Sequence, residues 1–276
     1  MRNRILASLI TLAAVLAILS LTALPAAAQY TIPGYEKINP LGPDGRVVNR
    51  TSIPRTSDGK PNFTGVWAGP GFSHRVGRGD TDTPTVSRFD TKNFAPYAPG
   101  GETLFLEKNT GDILHDDPTA FCLPDGFPRE VLAPYATEIL QFPGVMVMRY
   151  EYMHFARVVP LDGRPHPKDL ELTFMGDSVG HWEGDTLIID TTRIRKWTLD
   201  ATTDGITRYT TDDLHVIERI KYTDSMTATY EIVIDDPKIW SKPWSQMFGM
   251  KLHPTWKLLE QVCEENNRCE AGKCRQ

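Results

Sequence analysis

Alternating hydrophobic and polar positions dominate the chain from Tyr135 onward. Runs rich in β-branched and aromatic residues are separated there by turn formers such as Pro143-Gly144 and Gly184-Asp185, the pattern of successive β-strands. Residues 237–250 are predicted to hold only a turn or two of helix. The predicted strands cover residues 137–142, 145–159, 170–174, 180–182, 186–192, 214–222, 226–235 and 256–263.

Short links between these strands imply an antiparallel sheet, and closure into a barrel protects the edges of such a sheet best. The predicted fold class is therefore mainly β. An antiparallel, calycin-like barrel is the first architecture, and a sandwich is the alternative. Residues 135–276 form this β core.

Residues 29–134 differ in character, since they hold 13 of the 21 prolines and 13 of the 21 glycines. Pro removes a backbone donor and Gly adds freedom, so long helices and central strands are not expected. Large apolar residues such as Trp67 and Phe105 nevertheless recur. This part is predicted to be an irregular wrap over the core, with a short strand near 64–67 and a helical turn near 98–108. Together, residues 29–276 form one integrated domain.

The first 28 residues have the layout of a signal peptide. Arg2 and Arg4 precede an uncharged stretch from Ile5 to Leu24, and alanines at 26–28 offer a small-residue cleavage site. An uncleaved membrane anchor is the alternative, since the apolar run is long enough to span a bilayer. Cleavage predicts a periplasmic or secreted protein with no stable membrane span.

The charge of the mature chain narrows the choice of partners. Removal of Arg2 and Arg4 leaves 28 basic against 35 acidic side chains, without a run of Lys or Arg. A modestly acidic surface argues against nucleic acid or an anionic membrane as partner. A small-molecule ligand or substrate is expected, and the oligomeric state is left open.

Four cysteines, an even number, suit an oxidising compartment. Cys269 and Cys274 are close enough in the chain to form a local disulfide, which leaves Cys122 to pair with Cys263. Other pairings stay open, and a thiolate metal site is the less favoured alternative.

Ionisable side chains are interleaved with strand formers between residues 149 and 190. If 145–159 is one long strand, Tyr150, Tyr152 and His154 share one face, while Glu151 and Arg157 share the other. Neither face is simply polar, so these groups are candidates to line a cavity that binds or transforms a small molecule. The alternative is a structural ladder of salt bridges and hydrogen bonds.

Glu218 is in phase with its apolar neighbours in 214–221, so it is predicted to point inward, whereas His215 and Arg219 occupy the opposite face. A buried carboxylate must be paired or must hold a proton. Either state suits a general acid or base. In the alternative interpretation, Glu218 is the ion-pair partner of Arg157 or Arg149 across the core.

Four histidines raise the question of a metal: His154, His166, His181 and His215. Metal-binding histidines usually come in sets fixed by one element, such as HExxH or positions i and i+2 on a strand. No pair here has such a spacing, so a metal is the less favoured hypothesis. No GxGxxG or phosphate-binding loop is present either, and no cofactor is predicted.

Six motifs are spread along the chain: RTSDGKPNFTGVW at 55–67, YEYMH at 150–154, DGRPHP at 162–167, GDSVGHWEGDTL at 176–187, LHVIER at 214–219 and EQVCEEN at 260–266. Together they resemble a large group of exported, mostly uncharacterised bacterial proteins. The resemblance covers nearly the whole mature chain and implies one integrated domain, but it implies no particular reaction. Cys269 and Cys274 depart from the usual ending of that group, consistent with a separate local bridge.

These patterns predict an exported enzyme of cofactor-independent acid–base chemistry, such as a hydrolase, lyase, isomerase or cyclase, acting on a small organic molecule in a cavity of the β core. The alternative is a periplasmic, calycin-like protein that binds a small molecule without catalysis. The predicted catalytic residues are Glu151, His154, His215 and Glu218. The predicted substrate-binding residues are Tyr150, Tyr152, Arg157, Trp182 and Arg219.

Overall fold

The computed structural model of the protein describes residues 51–70, 72–73, 83–84, 89–201, 205–264, 269–270 and 273–274. All of them belong to one unit, Ile38–Gln276. The predicted signal peptide at 1–28, and residues 29–50 of the predicted wrap, lie outside the described residues. Within the described part of the chain, no helix is long and apolar enough to cross a membrane.

Strands make up most of the regular structure. In chain order they are β1 (Gly65–Ala68), β2 (Phe72–Ser73), β3 (Thr83–Pro84), β4 (Leu106–Lys108), β5 (Ala136–Phe142), β6 (Val145–Tyr150), β7 (Ala156–Pro160), β8 (Asp177–Glu183), β9 (Thr186–Thr192), β10 (Thr198–Ala201), β11 (Ile206–Tyr209), β12 (His215–Tyr222), β13 (Thr227–Asp235), β14 (Trp244–Leu252), β15 (Cys269–Glu270) and β16 (Lys273–Cys274). The short α-helices are α1 (Gly101–Phe105) and α2 (Ile113–Asp116). The 3-10 turns are Thr91–Asn93, Pro118–Phe121, Arg129–Leu132 and Tyr152–His154.

Nine strands form one sheet in the order β7-β6-β5-β1-β14-β13-β12-β9-β8. Every neighbouring pair is antiparallel. The sheet nearly closes on itself, and three other strands form a separate, smaller sheet in the order β10-β11-β4. The predicted mainly β fold with an antiparallel barrel is confirmed.

The two edge strands, β7 and β8, are joined by side chains and by the loop that follows β7. Arg157 Nη2 in β7 donates to Ser178 Oγ in β8 at 2.9 Å. The Gly163 amide donates to the Gly180 carbonyl at 3.0 Å. A Cβ at Gly180 would lie 2.8 Å from Leu161 Cδ2 and 3.2 Å from Val159 Cγ1, so a side chain here would require the end of Leu161 to shift.

Period-two alternation puts one face of each strand inside the barrel. In β12, Val216, Glu218, Ile220 and Tyr222 are buried, and the intervening residues face outward. The inward orientation predicted for Glu218 is therefore confirmed. On the neighbouring strand β13, alternate residues such as Tyr230 are likewise buried, so the interior is filled by side chains.

Part of the predicted wrap belongs to the barrel itself. Strand β1 lies between β5 and β14, where Trp67 has Thr137 and Leu252 as its register partners. It coincides with the strand predicted near 64–67, and α1 coincides with the helical turn predicted near 98–108. Aromatic packing fixes the segment between them: Tyr97 stacks on Trp240 with ring centres 4.9 Å apart.

The prediction of one long strand over 145–159 is wrong. The chain forms a hairpin of β6 and β7, closed by the Tyr152–His154 turn and by the Tyr150 amide, which donates to the Phe155 carbonyl at 2.8 Å. Met153 and His154 both adopt positive φ, which ends the strand without Gly or Pro. The faces assigned to Glu151, Tyr152 and His154 by alternation therefore do not apply.

Two further element predictions are wrong, and a third holds only in part. Residues 237–250, predicted to hold a turn or two of helix, begin with one turn, in which the Trp240 amide donates to the Asp236 carbonyl at 2.8 Å. The rest of that range contains most of β14, whose alternating burial is that of a strand. Residues 170–174 make only an isolated bridge, Thr173 to Ile194. Residues 256–263, predicted as the last strand, are irregular.

A disulfide joins Cys122 to Cys263, with the Cα atoms 5.5 Å apart. This pairing agrees with the one predicted. Cys269 and Cys274 are register partners in the ladder of β15 and β16. The structure describes the backbone of these two residues but not their side chains, so the local disulfide between them stays a prediction.

Gly180→Ala is expected to lower the free energy of unfolding by about 1 kcal/mol, the low end for overpacking, because the new methyl group displaces the end of Leu161 and crowds Val159. Gly69→Ala is the matched control, since a Cβ there meets its nearest atom, Thr137 Oγ1, only at 3.9 Å. Chemical denaturation of the two variants is the measurement. Equal stability of both would contradict the close approach of β7 and β8.

Candidate functional site

A buried ion pair crosses the barrel interior. Arg157 in β7 is 3% exposed and Glu218 in β12 is 0% exposed. Arg157 Nη2 lies 2.5 Å from Glu218 Oε2, and its Nη1 lies 3.1 Å from Glu218 Oε1, so the pair is bidentate. Tyr230 donates to Glu218 Oε1 at 2.6 Å.

The remaining donors of the guanidinium are also satisfied. Arg157 donates to Ser178 Oγ, to Thr191 Oγ1 at 3.0 Å and to the Tyr150 hydroxyl at 3.1 Å. Burial acts to lower the pKa of Arg157, but Glu218 outweighs it and raises that pKa. No N–H of this guanidinium is left for a substrate. The pairing of Glu218 with Arg157 agrees with the alternative interpretation of the sequence, in which the two residues form a structural ion pair across the core.

Burial is also the main influence on the two tyrosines of this network. It raises the pKa of Tyr150 to about 12, against the opposing effect of Arg157. It raises the pKa of Tyr230 further, with Glu218 adding to the effect. Both hydroxyls therefore stay protonated: that of Tyr230 donates to Glu218, and that of Tyr150 accepts from Arg157.

A second polar cluster lies in the irregular segment that precedes β5. Its members are Asp117, Asp125, Arg129, Glu130 and, from the β6–β7 turn, Tyr152. We call it the carboxyl cluster.

Contacts from distant parts of the chain hold the segment that carries the carboxyl cluster. Trp197 Nε1 donates to the Pro124 carbonyl at 2.7 Å, and the Phe127 amide donates to the Phe174 carbonyl at 2.8 Å. Gly126 has φ +73°, and a Cβ there would lie 2.8 Å from the Trp197 ring. The backbone at Gly126 therefore lies directly against the Trp197 ring, in a conformation that favours glycine.

Arg129 organises the charges of the carboxyl cluster. Its two terminal nitrogens donate to the two oxygens of Asp117 at 2.9 and 3.1 Å. Nη1 also reaches Thr198 Oγ1 at 3.2 Å, and Nε lies 3.3 Å from Asp125 Oδ1. The contact with Asp125 is an ion pair without hydrogen-bond geometry, because Asp125 Oδ1 has no hydrogen-bond partner.

Asp125 and Glu130 are buried carboxyl groups that the fold does not satisfy. They are 5% and 2% exposed, and Asp125 Oδ1 and both oxygens of Glu130 lack a hydrogen-bond partner. Burial raises the pKa of Asp125 to about 6, with Arg129 opposing the shift and Asp117 adding to it. Burial, reinforced by Asp125, raises the pKa of Glu130 well above its usual range. Near pH 6 the cluster thus holds protons that can be transferred.

Tyrosines connect the carboxyl cluster to its surroundings. The ring of Tyr152 stacks on Tyr135 at 4.9 Å, and both side chains are partly exposed. Burial raises the pKa of Tyr152, and the charge of Asp125 adds to the shift. On the inner side, the Phe127 ring lies 4.1 Å from the guanidinium of Arg157. The cluster therefore extends from the buried ion pair to partly exposed tyrosines.

Two predicted catalytic residues, Glu151 and His154, hold the C-terminal segment. Glu151 Oε2 accepts from the Leu259 amide at 2.9 Å, and His154 Nε2 accepts from the Gln261 amide at 3.1 Å. Gln261 Oε1 in turn accepts from the Met153 amide at 3.0 Å. These contacts border a surface pocket of about 190 Å³ whose wall includes the disulfide.

His215 lies in a third place, on the outer face of the barrel. Its Nε2 is 2.9 Å from Asp190 Oδ1, and His166 Nε2 reaches the same oxygen at 2.9 Å. His166 Nδ1 lies 2.6 Å from Asp177 Oδ2. The four predicted catalytic residues thus occupy three separate sites, with Glu218 in the interior.

The remaining predicted binding residues are also dispersed. Arg219 lies on the outer face, 3.5 Å from Glu231. Trp182 stacks on Phe63 with ring centres 6.2 Å apart, and Lys60 lies 6.0 Å from its ring. Only Tyr150, Tyr152 and Arg157 lie at or next to the carboxyl cluster.

The four histidines considered for a metal do not converge. His166 and His215 share Asp190, but His181 lies beside Glu183 at 3.4 Å and His154 contacts Gln261. Among the described residues, no group of three or more His, Cys, Asp or Glu side chains is arranged to hold a metal ion.

Reasoning from the sequence missed Asp125, Arg129 and Glu130. They lie in a Pro/Gly-rich segment without periodicity, where alternation assigns no face. A usable signal was the density of ionisable residues in 116–130 directly beside Cys122. Charged groups tied to a disulfide-anchored, proline-rich loop are held in place more firmly than those of an ordinary surface loop.

Comparison with protein-family models, curated proteins and solved structures finds no match to this chain. The resemblance to exported bacterial proteins therefore stays a prediction.

Glu218→Leu alone, or Arg157→Met alone, is expected to cost about 3–5 kcal/mol of unfolding free energy, because each leaves a buried charge without its partner. The double variant removes both charges and is expected to cost less than either single change. Urea denaturation of the three variants measures this. Additive losses in the double variant would contradict direct coupling of the two side chains.

Asp125→Asn is expected to change how stability depends on pH. The pKa of Asp125 is about 6 when folded, against 3.8 as the ordinary value. Since the pKa is raised by folding, the carboxyl stabilises the protein fully below about pH 4, and this contribution is lost as the pH rises through 6. The variant is therefore expected to gain about 3 kcal/mol relative to wild type between pH 4 and 7.

Denaturation at several pH values measures this difference, with Glu102→Gln, an exposed carboxyl in α1, as control. The control is expected to keep the pH dependence of the wild type. A difference between Asp125→Asn and wild type that does not vary with pH would show that Asp125 titrates in its ordinary range.

Proposed function

We propose that this protein is an exported enzyme that performs acid–base chemistry on a small organic molecule without an organic cofactor. The supporting observation is the pair of buried carboxyl groups, Asp125 and Glu130, whose oxygens largely lack hydrogen-bond partners. Burying such groups costs stability, and a fold selected for stability alone would replace them by amides or apolar side chains. An acid–base site requires protonatable groups of this kind.

The roles follow from the surroundings of each group. Protonated Asp125 and the Tyr152 hydroxyl are donors for a substrate oxygen on which negative charge develops. Asp125 gives up its proton near pH 6 and can take it back, which suits a general acid and base. Glu130, protonated to higher pH, supplies a second neutral donor. Arg129 is fixed by Asp117 and supports the ionised form of Asp125.

The reaction class that fits these groups is hydrolysis, elimination, isomerisation or cyclisation, in which proton transfer to and from a carbonyl or leaving group is the central step. The stacked rings of Tyr135 and Tyr152 at the exposed side favour a substrate with a planar or apolar part. The buried ion pair of Arg157 and Glu218 acts as the support beneath the cluster and makes no contact with substrate.

Two observations bear on the proposed export. The disulfide between Cys122 and Cys263 is typical of proteins in oxidising compartments. The first 28 residues have the layout of a cleaved signal peptide. A periplasmic or secreted location is proposed on these grounds.

A calycin-like carrier is the alternative function, and the packing of the barrel disfavours it. Large side chains such as Met146, Met148, Ile189 and Tyr230 fill the interior, each at most 2% exposed. A calycin holds its ligand in that volume. A ligand of this protein would instead bind at the carboxyl cluster.

The test is turnover of a panel of neutral esters, lactones, epoxides and enones by the purified mature protein. We expect wild type to turn over at least one class, and Asp125→Asn and Tyr152→Phe to lower kcat/KM by about 100-fold or more. A melting temperature within a few degrees of wild type for Tyr152→Phe, and at or above that of wild type for Asp125→Asn, would show that the loss is chemical.

Matched variants of the other predicted catalytic residues make the assignment of the site testable. His154→Gln and His215→Gln are expected to keep most of the activity, because both side chains lie outside the carboxyl cluster. If these variants lost turnover while Asp125→Asn stayed active, the active site would have to be assigned to the histidines and not to the carboxyl cluster. Saturable binding of a panel compound without turnover would support the carrier instead.

A further inference from the structure

An open pocket of about 400 Å³ lies where the segment before α1 meets α1, β4, β11 and the link between β13 and β14. Its volume is within the range of about 300–1,000 Å³ that is typical of small-molecule sites. We call it the aromatic pocket, and none of its residues belongs to the carboxyl cluster. The lining includes Thr91, Phe94, Tyr97, Phe105, Arg208 and Trp240.

Four aromatic rings form the apolar part of the pocket. Phe105 and Trp240 are 1% and 3% exposed and form its base, with ring centres 4.8 Å apart. Phe94 and Tyr97 are partly exposed, and their ring centres lie 5.0 and 4.9 Å from that of Trp240. Aromatic walls of this kind bind a flat ring through stacked and edge-on contacts.

Backbone contacts fix the positions of these rings. The Ser241 amide donates to the Pro96 carbonyl at 2.9 Å, and the Ala98 amide donates to the Ile239 carbonyl at 2.9 Å. A Cβ at Gly101 would lie 2.1 Å from the Ile239 carbonyl oxygen, so a side chain at the start of α1 would push the two segments apart. The pocket is therefore preformed, and a ligand loses little affinity to the ordering of its walls.

Of the described residues that line the pocket, only Arg208 is charged. It lies in β11, where Leu106 of β4 is its register partner, so the two side chains share one face of the smaller sheet. Burial raises the pKa of Tyr97 and Glu102 adds to the shift, whereas the positive charge of Arg208 opposes it. The guanidinium is thus within electrostatic reach of the Tyr97 hydroxyl, at the polar side of a mostly apolar pocket.

Two carboxylates lie near this side of the pocket without lining it. Asp200 in β10 is the other register partner of Arg208, and Glu102 is exposed on α1. A guanidinium has five N–H donors in a planar fork, so a protein partner and an oxygen of a ligand can share it.

We propose that the aromatic pocket binds a flat aromatic acid, with its ring against the aromatic side chains and its carboxylate on Arg208. The planar guanidinium matches a carboxylate in both shape and charge. Because the aromatic pocket and the carboxyl cluster share no residue, the proposal does not rest on the function proposed above. Its ligand is a second molecule, distinct from the substrate.

Isothermal titration calorimetry of the mature protein with cinnamate, a flat aromatic acid, tests the proposal. We expect saturable binding at one site, and binding about tenfold or more weaker in Arg208→Gln, because a charge-assisted hydrogen bond is lost. Arg219→Gln removes a guanidinium that faces Glu231 on the outer face, and as the matched control it is expected to bind like wild type.

Two further compounds separate charge from shape. Cinnamylammonium has the same ring with the opposite charge, and cyclohexanepropionate has the same charge without an aromatic ring. Both are expected to bind about tenfold or more weakly than cinnamate. Equal binding of cinnamate and cinnamylammonium would overturn the role of Arg208.

A variant that obstructs the pocket tests its location. Thr91 is exposed and lines the pocket, so Thr91→Tyr is expected to abolish cinnamate binding while the melting temperature stays within a few degrees of wild type. Lys92→Tyr is the control, because Lys92 is an exposed neighbour that does not line the pocket. It is expected to bind cinnamate like wild type.

The remaining outcomes decide between the two sites. Absence of saturable cinnamate binding in wild type overturns the proposal, and so does binding that Arg208→Gln and Thr91→Tyr leave unchanged. Loss of binding in Tyr152→Phe would assign cinnamate to the carboxyl cluster and overturn it as well. Binding retained in Tyr152→Phe and lost in Thr91→Tyr supports the aromatic pocket, even if no compound of the substrate panel is turned over.

Discussion

The barrel depends on one fully paired charge, the guanidinium of Arg157. From its place on β7 it binds Glu218 on β12, Ser178 on β8 and Thr191 on β9. This buried group thus bridges the two edge strands of the sheet, in addition to the backbone bond from Gly163 to Gly180. A buried charge is tolerated only when its partners surround it, so the edges can meet in one register only. Any slip of the edge strands would leave Arg157 or Glu218 without a partner in the core.

The same group explains why an irregular segment is ordered. Phe127 lies on the guanidinium, its own amide is held by the Phe174 carbonyl, and the preceding carbonyl of Pro124 is held by Trp197. Asp125 and Glu130 are consequently fixed in a buried position, although Asp125 lies outside any helix or strand and Glu130 lies in the short 3-10 turn Arg129–Leu132. The stability lost by burying these carboxyls is offset by a scaffold that does not depend on them.

Features that depend on neighbouring residues could be predicted from the sequence, whereas features that depend on contacts between distant segments could not. The inward orientation of Glu218 needed only local alternation, and it was predictable. The turn at Tyr152–His154 contains neither Gly nor Pro, so the local sequence pattern predicts a strand there. The turn is held in part by the Gln261 side chain, which comes from a distant segment. The carboxyl cluster depends on Trp197 and Phe174 in the same way, and alternation says nothing about such contacts.

The position of β1 has a consequence for how the chain folds. This strand comes early in the described chain, yet its neighbours in the sheet are β5 on one side and β14, the last strand of the barrel, on the other. Two of its six register partners lie in β14, so this pairing must wait until nearly the whole chain is available, and the long loop that it closes carries an entropic cost. Contacts between residues so far apart in sequence slow folding. The chain therefore remains open over most of its synthesis, with closure of the sheet as a late, cooperative event.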